Sequence, residues 1–338
     1  MTKVVYTREE LEAEHDYATP HIECGLKLHG GFDDRGSYIS PRTLHRWEAI
    51  HAWHQQLDER GVPIVEASMS LLQEPNFPNV EQQIFLLKNG IEQSFWDSIT
   101  ITGLIEARGK ALADLVAPDF QSIIEEDLTG TALGHINKGL FTSHGWDEGG
   151  REGTGIGGHD IMWFAVRDLV FGKDKYPIPE APASISREKE AREMLQLPPE
   201  YEGIIAFLMN LLMIEVRAER AFDFYERVIA SPETFIGREK ESSHAVDLVD
   251  RIRKDEAVHV AWLRAAISEF RSFTVKSLDG DRVKGAEILD PVWAAMVHWH
   301  GVEMHEVSRP AAIAEVRQKL MAQDNGDSLY KQFEALAA

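Results

Sequence analysis

Three residues with metal-ligand chemistry interrupt apolar seams: Glu215 in one helical stretch, and Glu256 with His259 in the next. From Ile204 the inward positions run Leu208, Leu211, Glu215, Ala218, Phe222, Tyr225 and Ile229, in steps of four and three that keep one helix face toward a core. A second stretch repeats that spacing through Val249, Ile252, Glu256, His259, Leu263, Ala266 and Phe270. An ionised carboxylate does not enter a core without a proton, a counter-charge or a metal. A carboxylate facing a Glu-x-x-His pair is a recurrent way of holding iron or manganese between helices, since the i, i+3 spacing turns an oxygen and an imidazole nitrogen toward one ion. The competing account is a buried, hydrogen-bonded Glu–His pair, and the metal reading is preferred.

The elements that must position these residues are two long helices and the turn between them. Ser231-Pro232 and Gly237 punctuate that turn. Glu215 and Glu256 each lie roughly 20 residues from it, or about 30 Å at the helical rise, so antiparallel helices bring them to one level.

Glu215-x-x-Ala218-x-x-x-Phe222 and Ile252-x-x-Asp255-Glu256-x-x-His259-x-x-x-Leu263 resemble the two parts of a half-site of the ferritin-like superfamily, which includes bacterioferritin, rubrerythrin and the diiron oxygenases. The resemblance implies an all-α, ferritin-like four-helix bundle with additional N- and C-terminal helices. Its expected parts are an N-terminal arm and helix (1–79), the bundle (80–272) with a Gly/Pro-rich crossover (144–200), and a C-terminal helical extension (273–338).

The resemblance also implies a second, earlier hairpin carrying the other ligands, and the stretch from Val80 to Ser143 is the candidate. There Glu92 lies on or beside an apolar face with Ile84, Leu87, Ile99 and Leu104, and Glu126 closes the run Phe120 to Glu126. The expected metal ligands are therefore Glu92, Glu126, Glu215, Glu256 and His259. Thr129 stands where a histidine three residues after Glu126 is required. Three repairs remain open: a single metal, His135 after a local distortion, or a histidine from another segment. His135, nine residues beyond Glu126, points to nearly the opposite side of an ideal helix. Glu106 rivals Glu92 on the same stripe, against an exposed ion-pair role beside Arg108 or Lys110.

The implied cofactor is iron, as two ions or one, with manganese as the alternative. The implied activity is oxidation or hydroxylation of a small organic substrate by dioxygen, with Glu219, one turn from Glu215, as an outer catalytic base unless it pairs with Arg217 or Arg220. Simple ferroxidase or peroxide-scavenging activity is the runner-up. The single cysteine, Cys24, leaves no Cys-x-x-Cys pair to deliver electrons and no intrachain disulfide. A helical scaffold that has lost the site is the reading from another class, and Thr129 keeps it alive.

A net charge of −21 argues against nucleic acid or an anionic membrane as partner. No signal-peptide pattern or bilayer-length apolar run is visible, so a cytoplasmic protein is expected. The chain is about twice a minimal four-helix storage subunit, and the extra length suits a shaped substrate pocket or a homodimer contact.

Outside the bundle, Glu48-x-x-His51 reads as part of an amphipathic surface helix. The glycine-rich stretch Gly145 to Asp160 contains Gly153-x-Gly155-x-Gly157 without a preceding βα unit, which argues against a dinucleotide site. His144, Asp147, His159 and Asp160 lie within reach of a site there but read first as loop or cap residues. A proline-rich connector covers 177–200, with a short charged helix near Arg187 to Leu195. The potential ligands from His298 to His305 read as a surface or subunit-contact stripe.

Overall fold

The computed structural model describes residues 2–188 and 191–337. The protein is predominantly helical, with little strand. In chain order the elements are α1 (Arg8–Leu11), β1 (Thr19–Glu23), β2 (Leu26–Phe32), β3 (Tyr38–Ile39), α2 (Arg46–Glu59), α3 (Val80–Lys88), α4 (Gln93–Gly109), α5 (Leu140–Gly149), β4 (Ile156–Gly157), α6 (His159–Phe171), α7 (Pro199–Ile229) and α8 (Glu239–Ser272). They continue with β5 (Thr274–Lys276), β6 (Arg282–Lys284), α9 (Gly285–His298), α10 (Met304–Met321) and α11 (Gly326–Ala335).

The long pair α7 and α8 forms because the seams described above run unbroken and both ends are marked. Pro199 occupies the first turn of α7, where its missing N–H costs nothing, with Glu200 and Glu202 beside it. The turn closes with the Thr234 hydroxyl donating to the Val228 carbonyl (2.8 Å) and Gly237 at φ 85°. Glu239 and Glu241 then open α8.

Against α8 packs α6, which with α5 lies beside α4, and α4 reaches α7 through Phe95 on Phe224 and Tyr225. Both α5 and α6 run antiparallel to α4 and the 3₁₀ turn that extends it. Gly145 sits against Ala113, Gly149 against Lys110, and Gly103 against Phe164 and the Asp160 carbonyl. Thus α5 and α6 act as one helical course broken by the excursion 150–158. That excursion is anchored by β4, which pairs in parallel with β2 (Lys27 with Ile156, Leu28 with Gly157). The N-terminal arm forms the sheet β1-β2-β3, with β4 added to β2.

Besides a small cluster of Leu86, Ile91, Val316, Leu320, Leu329 and Phe333 under the C-terminal helices, the apolar interior forms two large clusters. One cluster contains Leu208, Leu212, Trp262, Leu263 and Phe141; the other contains Phe222, Tyr225, Ile252, Val249 and Trp163. Along α7 and α8 the division falls at Glu215 and at Asp255-Glu256, so a polar layer crosses the protein between two cores.

The stretch Val80 to Ser143 departs from the expected hairpin. It breaks at Gly90 (φ 75°) before α4, and beyond α4 it runs through 3₁₀ turns at 110–114, 120–122 and 133–138 rather than a second long helix. Around Arg187 to Leu195 the described residues form turns and no helix; residues 189 and 190 of that expected helix lie outside them.

Candidate metal centre

The polar layer gathers Glu106 from α4, His144 and Glu148 from α5, His159 from α6, Glu215 from α7, and Glu256 with His259 from α8. His144, His159 and His259 have no exposed surface, and Glu148, Glu215 and Glu256 are 4–5% exposed. Two groups that share Glu148 could each hold an ion, His144, Glu148, Glu215 and His259, and then Glu106, Glu148, His159 and Glu256; a third group, His29, His159 and Asp255, lies behind His159.

Glu148 belongs to both groups, and its two oxygens divide between them. Oε1 lies 3.1 Å from His259 Nδ1 and 3.2 Å from His144 Nε2, while Oε2 faces His159 Nδ1 at 3.8 Å. Glu256 divides in the same way, with Oε1 3.0 Å from His159 Nδ1 and Oε2 2.6 Å from His259 Nδ1. Glu215 stands at the first position, 3.1 Å from His144 Nε2, and Glu106 at the second, 4.0 Å from His159 Nδ1. The layer therefore offers two carboxylates able to span a pair of ions, and one carboxylate with one imidazole at each end.

An aspartate behind each imidazole fixes which nitrogen faces inward. His259 Nε2 meets Asp147 Oδ2 at 3.0 Å, and Asp147 also accepts from Arg46 (2.8 Å) and from Arg42. His159 Nε2 meets Asp255 Oδ2 at 3.3 Å, the same oxygen that receives His29 Nε2 (3.1 Å) and the Tyr38 hydroxyl (2.9 Å). A proton held on Nε2 by a carboxylate leaves Nδ1 with a free lone pair toward the centre, the arrangement that orients metal-binding histidines. His144 differs. Its Nδ1 accepts from the Trp262 indole N–H (3.3 Å), which puts its own proton on Nε2, facing Glu148 and Glu215. His144 is better suited to donating to these carboxylates than to ligating.

Without an ion the layer is satisfied only by protons. Burial, reinforced by Glu148, pushes Glu106 well above the carboxylate range, and burial with Glu256 and Glu148 does the same to Glu215. Burial disfavours charge on His159 and His259, yet Glu256 and the other carboxylates around them hold both well above the usual imidazole value. Two divalent cations would replace the protons of Glu106, Glu215, His159 and His259 with no change in net charge. Meanwhile Glu148 Oε1 and His159 Nδ1 are buried without a well-aligned hydrogen bond, although each points into the layer. Such orphaned atoms are rare in a native interior and fit a bound cation.

Of the residues expected as ligands, Glu215, Glu256 and His259 converge here, whereas Glu92 and Glu126 do not. Glu92 precedes the first residue of α4, four turns from Glu106, and pairs with Lys175 (2.9 Å). Glu126 lies outside any helix and accepts from the backbone N–H (2.8 Å) and hydroxyl (3.0 Å) of Thr274, joining this strand to its own segment. Glu219 is held by Arg253 (2.5 Å), turned from the layer toward a cation. His135 is buried elsewhere, accepting from the Tyr6 N–H at 3.0 Å. The position opposite Glu256 falls to Glu148, and the histidine missing after Glu126 is matched by His159, across the glycine-rich excursion. One signal for both was present: Asp147-Glu148 repeats the dipeptide Asp255-Glu256, and in each the aspartate serves the histidine of the other half.

A cavity of about 620 Å³ opens onto the layer, with Glu106, His144, Glu148 and Glu215 at its inner end. That volume suits a small organic molecule. The chain matches no protein-family model, no curated protein and no solved structure. No helix among the described residues is long and apolar enough to cross a membrane.

Proposed function

We propose that this protein is a dinuclear non-haem iron enzyme, with manganese as the alternative metal, that uses dioxygen to oxidise or hydroxylate a small organic substrate on a ferritin-like helical scaffold. The observation that carries the reading is the double sharing of Glu148 and Glu256, each with one oxygen toward either imidazole. Two ions held there would supply the redox chemistry that dioxygen reduction requires.

The chain's own residues do the rest. Glu148 and Glu256 would hold both ions, Glu215 with His259 and Glu106 with His159 would hold one each, and Asp147 and Asp255 keep the imidazoles in register. His144, with its proton on Nε2 between Glu148 and Glu215, can keep a hydrogen bond to whichever of the two carboxylates moves. The two apolar clusters on either side keep bulk water from the layer.

An organic substrate is favoured over ferrous ion as the species oxidised because the cavity is walled mainly by apolar side chains and carries Arg217 and Arg220, which repel a cation. A metal-free scaffold is the reading from another class. Metal content separates the two. Protein purified without an affinity tag is expected to carry, or to take up from ferrous salt under nitrogen, about two ions per chain, and to consume dioxygen on exposure to air. Glu256→Ala is expected to lose most of that metal while staying folded. Metal-free wild-type protein that refuses iron would establish the scaffold.

A further inference from the structure

The cavity has two chemically different ends. From Glu106, Glu148 and Glu215 it runs between α4 and α7 past apolar side chains that include Leu112, Leu115, Phe207, Leu211, Ile214 and Phe222. It also meets three arginines: Arg108, which donates to the Pro182 carbonyl oxygen, and the neighbouring pair Arg217 and Arg220, with His305 beside that pair.

The two half-buried arginines of that pair meet no carboxylate among the described residues. The groups that meet Arg217 are the Ile185 carbonyl oxygen (3.1 Å) and His300 Nδ1 (3.3 Å). Arg220 meets the Glu74 carbonyl oxygen (2.6 Å) and His305 Nε2 (2.7 Å). All four are uncharged acceptors. Burial, with Arg217 and Arg220 beside them, keeps the two imidazoles neutral, at about 3 for His300 and about 4 for His305. The nearby carboxylates are engaged elsewhere: Glu219 with Arg253, Asp223 with Arg227, and the Glu74 side chain with Arg309. Burial lowers both arginines, and for Arg217 the charge of Arg220 adds to it. Among the described residues these two cations thus face a largely apolar cavity without a counter-ion, an arrangement that costs stability unless something anionic completes it.

We infer that the substrate is an apolar organic anion, a carboxylate whose charged group is bound by Arg217 and Arg220 and whose hydrocarbon body lies along the cavity toward Glu148 and Glu215. Arg220 is five residues beyond Glu215, about 7.5 Å along the helix axis, so the carbon presented to the metals lies several bonds from the carboxylate. Arginine suits this role because its planar donors match a carboxylate's two oxygens. The inference rests on the dinuclear reading for what happens to the substrate, though not for its binding.

The test is calorimetric titration of the full-length protein with decanoate and with decanol, which share a chain and differ in charge, accompanied by metal analysis of the same samples. Wild type is expected to bind decanoate at least tenfold more tightly than decanol, and Arg217→Met with Arg220→Met to bring the two to parity with metal content unchanged. Should the double variant not fold, Arg220→Met alone is expected to lose roughly tenfold in decanoate affinity, the worth of one charge-assisted contact, and little for decanol. Equal binding of the two by wild type, or a preference that survives the arginine substitutions, overturns the inference. Selective decanoate binding by a protein that takes up no iron leaves this inference standing and removes the dinuclear reading; two irons with no such preference does the reverse.

Discussion

The two halves of the polar layer present matching ligands on different supports. Glu215, Glu256 and His259 project from α7 and α8, two unbroken helices of 31 and 34 residues. Glu106 stands near the end of α4, Glu148 is the last residue but one of α5, and His159 is the first of α6. In the first half, helix periodicity alone turns the ligands to one face. In the second, the spacing is set by tertiary anchors: β4 on β2, Asp255 behind His159, and glycines packed against backbone. A ligand set can thus be duplicated without duplicating the element that carries it, and the broken half is expected to tolerate less change around the site.

The two supporting aspartates offer the largest test of that difference. Asp147 neutralises the buried Arg42 and Arg46 as well as orienting His259, whereas Asp255 meets only His29, His159 and Tyr38. Asp147→Asn leaves the buried Arg46 without a counter-charge and Arg42 with Glu14 alone, and is expected to cost about 3–5 kcal/mol of stability. Asp255→Asn, which removes the carboxylate beside a raised His159, is expected to cost less, about 1–3 kcal/mol, and to weaken metal binding by roughly 10–100-fold. Urea unfolding of the metal-free proteins separates the two, and equal losses would mean that both aspartates do the same work.

A second test uses a buried carboxylate outside the layer as a reference for what such a group does without a metal. Glu269, on α8, accepts the backbone N–H groups of Ala132 and Leu133 at 3.0 Å each, tying the regular helix to the irregular segment before α5. Burial raises it from 4.5 to about 7. A raised carboxyl holds its proton more tightly folded than unfolded, so its contribution is complete below pH 4.5 and is lost as pH rises through about 7. Relative to Glu269→Gln, the wild type is expected to lose on the order of 3 kcal/mol between pH 4.5 and 8. A difference between the two proteins that does not vary with pH would show that Glu269 ionises normally.

What the sequence disclosed follows the same division. The convergence of Glu215, Glu256 and His259 was legible because α7 and α8 keep a strict step of three and four from end to end. The other half was sought by extending that logic over Val80 to Ser143, which selected Glu92 and Glu126. Periodicity there does not continue into one helix: Gly90 breaks the chain before α4, and beyond Gly109 it runs in 3₁₀ turns and extended links whose partners, such as Thr274 for Glu126, are distant in sequence. Glu106 lay on the right stripe, but its exposure could not be read without knowing that α5 covers it. His159 was the least legible, since its place depends on the excursion 150–158 folding back so that α6 resumes where α5 stopped.

That excursion provides the finest comparison, between two of its own glycines. A Cβ added at Gly158 would meet the Gly150 nitrogen at 2.5 Å and the Asp147 and Glu148 carbonyl oxygens at 2.6 Å, all backbone atoms that move only if the break between α5 and α6 opens. At Gly153 the added atom would meet nothing, and the only cost is the left-handed φ of 74°. Gly158→Ala is therefore expected to cost about 2 kcal/mol and to shift both Glu148 and His159, whereas Gly153→Ala costs about 1 kcal/mol and shifts neither. Iron content reads the distinction more sharply than stability does. Gly158→Ala should fall from about two ions per chain toward one, because Glu215, Glu256 and His259 remain in place, and Gly153→Ala should keep both. If Gly158→Ala also keeps both, His159 is placed by its aspartate and the β2–β4 pairing alone, and the close approach of Gly150 and Gly158 is packing without consequence for the site.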